Sequence, residues 1–295
     1  MIQQSLTRGI IPYSQTTQGG MYFGLSKYDT YKVAHFNVVT TTASQSITFG
    51  LAVKQGTTAF IDWGDGSRYT EVKYSVAGNY QNYAHTYINP MLYKARIINS
   101  KQVITLSLSN TSITGSITGM ALTYLSLYNT GTSITGSITG MALTYLYLLN
   151  TGSAITGSIT GMALTYISLN TGSAITGSIT GMALTYISLN TGNAVTGILN
   201  ISSRLTKFYY YGCDGTLVIP TTGLVFGASM TEINISNNTT GQPSDVIDAI
   251  LNAAAATTWA APKTIGMAGN NGIHTSASAS ALTTLAGLGV TVTVN

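Results

Sequence analysis

The apolar residues of this chain follow different rhythms along its length. From Val103 to about residue 237 a six-residue pattern, apolar-x-x-apolar-x-apolar, returns every 19–25 residues, opening at Val103, Leu122, Leu143, Leu164, Leu184, Leu205 and Met230. It reads VITLSL, LTYLSL, LTYLYL, LTYISL twice, LTKFYY and MTEINI. Between copies runs a second segment, SITGSITG, SAITGSITG or NAVTGILN, whose isoleucines alternate with small polar residues as a half-buried strand requires. Each unit therefore predicts a main strand, an Asn/Thr/Gly turn and a short second strand. About 20 residues leave no room for a helix on the back. Such a unit cannot bury its apolar face alone, and only stacking on a neighbour creates a core. Every interior copy meets the same neighbours, which explains why the string at 151–170 recurs letter for letter at 171–190.

On either side the rhythm changes. Residues 45–99 alternate apolar and polar positions around an Asp65–Gly66 turn, the pattern of β-hairpins, and YKVAHFNVVT before them predicts a further strand. After 241, Val246, Ile247, Ile250 and Leu251 share one helical face. Ser244 is placed to cap that helix, and Asp245 and Asp248 lie where its dipole favours acids. SASASALTTLAGLG predicts a second helix ending at Gly287 or Gly289, and VTVTV a closing strand. A repeat array needs a distinct terminal unit, and 242–295 is read as that cap.

Strand alternation also fixes what the array shows outward. With Leu125 and Leu127 inside, Tyr124, Ser126 and Tyr128 face out, followed by Tyr145 and Tyr147, Tyr166 with Ser168, Tyr186 with Ser188, then Lys207, Tyr209 and Tyr211. The candidate ligand-binding face is Tyr124, Tyr128, Tyr145, Tyr147, Tyr166, Tyr186, Tyr209 and Tyr211. Tyrosine offers flat apolar area and a hydroxyl at low entropy cost, which suits sugar rings or a protein loop. The same ladder equally serves to stiffen the sheet, since cross-strand aromatic pairs contribute up to about 1 kcal/mol.

Charge narrows the chemistry. Charged residues are 7% of the chain, against about 25% in ordinary soluble proteins. From Val103 to Ser203 there is no Asp, Glu, Lys, Arg or His. Acid–base catalysis needs a titratable group and metals need carboxylate, imidazole or thiolate, so the array has neither option. Its role is display, spacing or recognition. No catalytic residue, metal or cofactor is expected. An end-of-array site built on Asp214 or Glu232 is the weak enzymatic alternative, without a constellation to support it. Asp62 and Asp65 suggest either a calcium site or a turn, and the scarcity of other carboxylates favours the turn. His85 is expected to be a structural hydrogen-bonding residue, and His35 and His274 stand alone. Cys213, the single cysteine, reads as a small buried hydrophobe. No basic stripe of the kind that binds nucleic acid is present, and no stretch of about 18 apolar residues predicts membrane insertion.

Two resemblances add to this reading. The units, over about 103–237, resemble leucine-rich repeats, and LSLYNTGTSITGSI is similar to the variant with an L-T-G-x-I-P segment after the asparagine. The repeats are shorter than most of that family. Asn110, Asn129 and Asn150 lie two residues after the last apolar strand position, Asn170 and Asn190 only one. The resemblance implies turn asparagines whose amides bond backbone groups. Trp63, Gly64, Asp65 and Gly66, with His85, Thr86 and Tyr87 later, resemble the signature of the immunoglobulin-like PKD domain, a common spacer or adhesion module.

The expected architecture is mainly β: an N-terminal arm or anchor over 1–44, a PKD-like β-sandwich over 45–100, a leucine-rich-repeat-like solenoid of about seven units over 101–241, and a small α/β cap over 242–295. The start MIQQSLTRGIIPYSQTTQGG lacks the apolar core of a secretory signal. With the rigid, uncharged composition, this leads to the expectation of a virion-surface protein of a tailed bacteriophage. Its partners would be other virion proteins through the N-terminal region and a host-surface glycan or protein, and a homo-oligomer is compatible with it. A bacterial cell-surface adhesin is the alternative.

Overall fold

The computed structural model describes residues 33–75, 79–109, 111–131, 133–151, 154–170, 174–190, 194–199, 204–213 and 217–295. Asn110, Asp214 and most of the expected N-terminal arm lie outside the described residues.

Six strands precede the repeats: β1 (Val33–Val39), β2 (Gln45–Val53), β3 (Ala59–Asp62), β4 (Thr70–Val72), β5 (Gln81–Tyr87) and β6 (Leu92–Ile98). They pair antiparallel, β6 lying between β1 and β3, β4 beside β3, and β5 beside β2. β1 turns Ala34, Phe36 and Val38 inward, and Phe36 meets Phe49 edge-on at 5.5 Å between ring centroids. Residues 33–39, grouped by sequence with the arm, thus supply core to the unit that follows.

The motif strands are β7 (Val103–Leu108), β9 (Tyr124–Tyr128), β11 (Tyr145–Leu149), β13 (Tyr166–Leu169), β15 (Tyr186–Leu189), β17 (Lys207–Tyr210) and β19 (Met230–Asn234). The second strands are β8 (Ile113–Ser116), β10 (Ile134–Ser137), β12 (Ile155–Ser158), β14 (Ala174–Ser178), β16 (Ala194–Ile198) and β18 (Leu217–Val218). Each set stacks in parallel, forming the two walls of a β-solenoid. Strands β9 to β17 have a motif neighbour on both sides. β7 instead backs onto β2 antiparallel, and β19 onto a cap strand with a register shift. The regular solenoid therefore amounts to about five turns, the outer two of the seven expected units being shared with their flanks.

The repeat produces columns of like residues. Leu125, Leu146, Ile167, Ile187, Phe208 and Ile233 form one fully buried column, and Ile113, Ile134, Ile155, Ile175 and Val195 face it from the other wall. A threonine spine runs beside the first column. The hydroxyls of Thr123, Thr144, Thr165, Thr185, Thr206 and Thr231 each donate to a backbone carbonyl one unit back, on Ile104, Thr123, Thr144, Thr165, Thr185 and Thr206. These bonds satisfy backbone acceptors where the chain enters each strand.

Both walls are continuous with the N-terminal strands. β1 pairs with β8 and β2 with β7, so neither sheet breaks at the expected 100/101 boundary. At the other end lie β20 (Trp259–Gly266), β21 (Thr291–Thr293), α1 (Ser244–Ala255) and α2 (Ala279–Gly287). β20 and β21 extend the β19 sheet in parallel. α1 buries Val246, Ile247, Ile250 and Leu251, as its sequence spacing requires. Pro243, and not Ser244, occupies the N-cap position, and no side chain caps the helix. Asp248 is buried and accepts hydrogen bonds from the Thr275 amide and the Ser278 hydroxyl, tying α1 to the turn that opens α2. β20 escaped the sequence reading because WAAPKTIG has neither strand alternation nor β-branched density. No described helix is long and apolar enough to cross a membrane.

Candidate functional site: a tyrosine and serine face

The one-to-one register places Tyr124, Tyr145, Tyr166 and Tyr186 side by side on four adjacent strands. Their rings stack face to face, with centroids 4.1, 4.2 and 4.3 Å apart and planes within 15° of parallel. Both ends of the stack are closed. Tyr80, from the N-terminal unit, leans on Tyr124 at 6.0 Å. The Lys207 ammonium lies 5.6 Å from the Tyr186 ring centroid and 5.3 Å from that of Tyr209, and it pairs with Glu232 at 2.9 Å. The flat faces expected to meet a ligand are therefore taken up by one another, and the stack offers ring edges and hydroxyls outward.

Electrostatics follow from this packing. Burial, with the neighbouring phenols, pushes Tyr124, Tyr145 and Tyr166 well above the ordinary tyrosine range. Burial pulls the Lys207 ammonium down, but Glu232 and Tyr186 outweigh it and hold the amine above its ordinary value.

The other candidates sit apart from the stack. Tyr147 is in register with Ser126 and Ser168, so serines flank it on both sides. Tyr128 is 42% exposed at the next outward position. Tyr209 and Tyr211 form a separate tilted pair at 5.9 Å. The structure thus brings four of the eight together and leaves four as single or paired rings. Sequence reasoning missed Tyr80 and the closing role of Lys207. For Tyr80 no sequence signal exists, because it reaches the stack from outside the repeat. The threonine spine could have been found, since Thr123, Thr144, Thr165, Thr185, Thr206 and Thr231 hold one phase of the motif.

The asparagines form two arrangements. Asn150 donates to Asn129 at 2.7 Å and Asn190 to Asn170 at 3.3 Å, a surface ladder linking amide to amide. Backbone bonding by asparagine amides is seen in the last turns. Buried Asn238 donates to the carbonyls of Tyr210 and Ile235, and buried Asn271 to those of Ile235 and Met267.

The charged candidates have partners. The Asp62 carboxylate accepts from the Gly64 amide and the Arg96 guanidinium. Asp65 accepts from the Ser67 amide and meets His85 Nε2 at 2.6 Å. Burial raises Asp65, but Ser67 and His85 outweigh it and hold the carboxyl below its ordinary value. The His85 ring stacks on Trp63 at 4.8 Å and meets Tyr87 edge-on at 4.7 Å, while the Tyr87 hydroxyl donates to the Trp63 carbonyl. This is a pinned turn. Glu232 is held by Lys207, and Cys213 is buried. Among the described residues, no three of His, Cys, Asp and Glu converge as metal ligands would.

Compared with known proteins, the chain matches no family model, no curated protein and no solved structure.

Proposed function

We propose that this chain is a non-enzymatic display protein of a tailed-bacteriophage virion, a fibre, tip or head-decoration component whose solenoid contacts the host surface. The observation that carries this reading is a parallel sheet with no charged residue over Val103–Ser203 that presents rows of tyrosine, serine and asparagine outward. A surface of that kind has nothing to catalyse with and a great deal to bind with. Near-identical units let the array lengthen by duplication without disturbing the register of its neighbours.

In the same reading the array is a short leucine-rich-repeat-like solenoid. The Trp63–Gly66 turn with His85–Tyr87 marks a PKD-like module that holds the array away from its anchor. A bacterial surface adhesin would use the same parts. The deciding experiment is mass spectrometry of density-purified phage particles, combined with gold-labelled antibody against residues 103–240. Stoichiometric protein with surface label supports the virion reading and places it on head or tail. Protein confined to bacterial envelope fractions overturns it in favour of the adhesin.

A further inference from the structure

Between Tyr147 and Tyr209 the second outward row carries only Ser168 and Ser188, so register leaves a shallow trough in the face. Tyr147 and Tyr209 stand three strands apart, roughly 14 Å at ordinary strand spacing. That backbone span, about the length of two to three sugar rings, is the upper bound on the floor between the two side chains. One long side is the wall of Tyr166 and Tyr186, in register beside each other, and the other is the Asn170–Asn190 amide pair. All eight residues are half-buried, and the Ser168 and Ser188 hydroxyls make no side-chain hydrogen bond to another described residue. The trough therefore joins ring surface at its ends to hydroxyls along its floor and amides along its flank.

We propose that this trough is a subsite for a neutral oligosaccharide about two sugar rings long, an assignment that rests on the host-surface reading above. The charge balance selects that ligand class. The ammonium beside the trough, on Lys207, is already paired with Glu232, and the eight residues that line it carry no charge, so the lining itself offers neither a free cation to an anionic polymer nor a free anion to a cationic one. The uncommitted groups on the floor both donate and accept, as sugar hydroxyls demand. Tyr147, outside the four-ring stack, is the ring left to pack against a pyranose, while Tyr209, with Lys207 over its ring and Tyr211 beside it, closes the far end. The length of the trough comes from the duplicated unit, because two successive copies place two serines in a row where the preceding unit places Tyr147.

The test is binding of the full chain to a panel of immobilised neutral bacterial glycans, with adsorption to host cells measured in parallel. The wild type is expected to bind at least one glycan. Ser168→Tyr with Ser188→Tyr, which fills the floor, should weaken that binding by about tenfold or more, the worth of roughly one net hydrogen bond or an equivalent contact. Ser168→Ala with Ser188→Ala, which adds no bulk, should weaken it to a smaller degree and covers the case in which the bulky pair fails to fold. Ser126→Tyr, on the far side of Tyr147, should leave it unchanged. Glycan binding indifferent to both serine pairs overturns the trough but not the display function. Host-cell adsorption without binding to any neutral glycan overturns the ligand class and favours a protein receptor. Absence of both kinds of binding overturns the host-surface reading itself.

Discussion

Tyr145 has a ring partner on each face, and each such pair contributes about 0.5–1.5 kcal/mol beyond area burial. Tyr145→Ala should therefore cost about 1–3 kcal/mol, measured by thermal or denaturant unfolding. It should not unfold the chain, because each buried Leu or Ile beneath it contributes about 1.5–3 kcal/mol and the column has many. The raised phenol pKa values carry a sign. An unfolded tyrosine loses its proton near pH 10, while Tyr124, Tyr145 and Tyr166 keep theirs to higher pH. Above about pH 10 the folded state thus binds more protons than the unfolded one, and stability falls as pH rises. Lys207 adds to the same loss, since its raised value is a stabilisation that is complete below its ordinary pKa and fades as pH rises through the folded one. Tyrosinate absorbance should titrate in two phases, the later one vanishing on unfolding. At Gly157, φ is +118° and an added Cβ would lie 2.7 Å from Thr139 Oγ1 and 2.8 Å from Ser137 Oγ. Gly157→Ala is expected to cost about 1–3 kcal/mol, read as a lowered melting temperature.

At the scale of the element, the repeating unit is interchangeable because its contacts are. β13 and β15 present the same residues to their neighbours, and the threonine spine passes through both. Deleting residues 171–190 joins Asn170 to Thr191, the same junction that Asn190 makes, and lets Lys207 close the stack on Tyr166. The shortened chain should fold with unchanged circular dichroism and a melting temperature lower by roughly 2–5 °C, as loss of one repeat and one interface requires. It should also lose oligosaccharide binding, because only one serine then separates Tyr147 from Tyr209. A chain that fails to fold would show that the two copies are not equivalent.

For the whole molecule, charge is absent from Val103–Ser203 and gathers on either side of that stretch, where it organises turns, the close of the tyrosine stack and the cap. Asp65 with His85 pins the N-terminal unit, and Asp248 with Thr275 and Ser278 pins the cap. Burial raises Asp248, yet its hydrogen bonds hold the carboxyl below its ordinary value. A depressed carboxylate stabilises the fold above its unfolded pKa, about 4, and that stability is lost as pH falls through the folded value. Acid should therefore loosen the ends before the solenoid, whose units over Val103–Ser203 carry no carboxylate. Hydrogen exchange at about pH 3 should show the cap amides opening while β9–β17 stay protected, and Asp248→Asn should flatten the acid dependence of the cap. Uniform opening would contradict this division.

The sequence by itself determined the solenoid. Its period, its inward leucine and isoleucine columns, its outward tyrosine row and the absence of Asp, Glu, Lys, Arg and His from Val103–Ser203 are local properties of the repeated units, so they read directly off the chain. The helical face of α1 was legible for the same reason. What only the tertiary structure decided are the relations between distant residues. The antiparallel strands run into both solenoid walls because β1 and β2 find β8 and β7 as edge partners, which no local pattern announces. β20 becomes a strand because β19 offers an open edge. Tyr80 and Lys207 close the aromatic stack from outside the repeat. The trough exists only because register sets Ser168 and Ser188 between Tyr147 and Tyr209. Periodicity fixes which way a side chain points, whereas pairing across strands fixes what it points at.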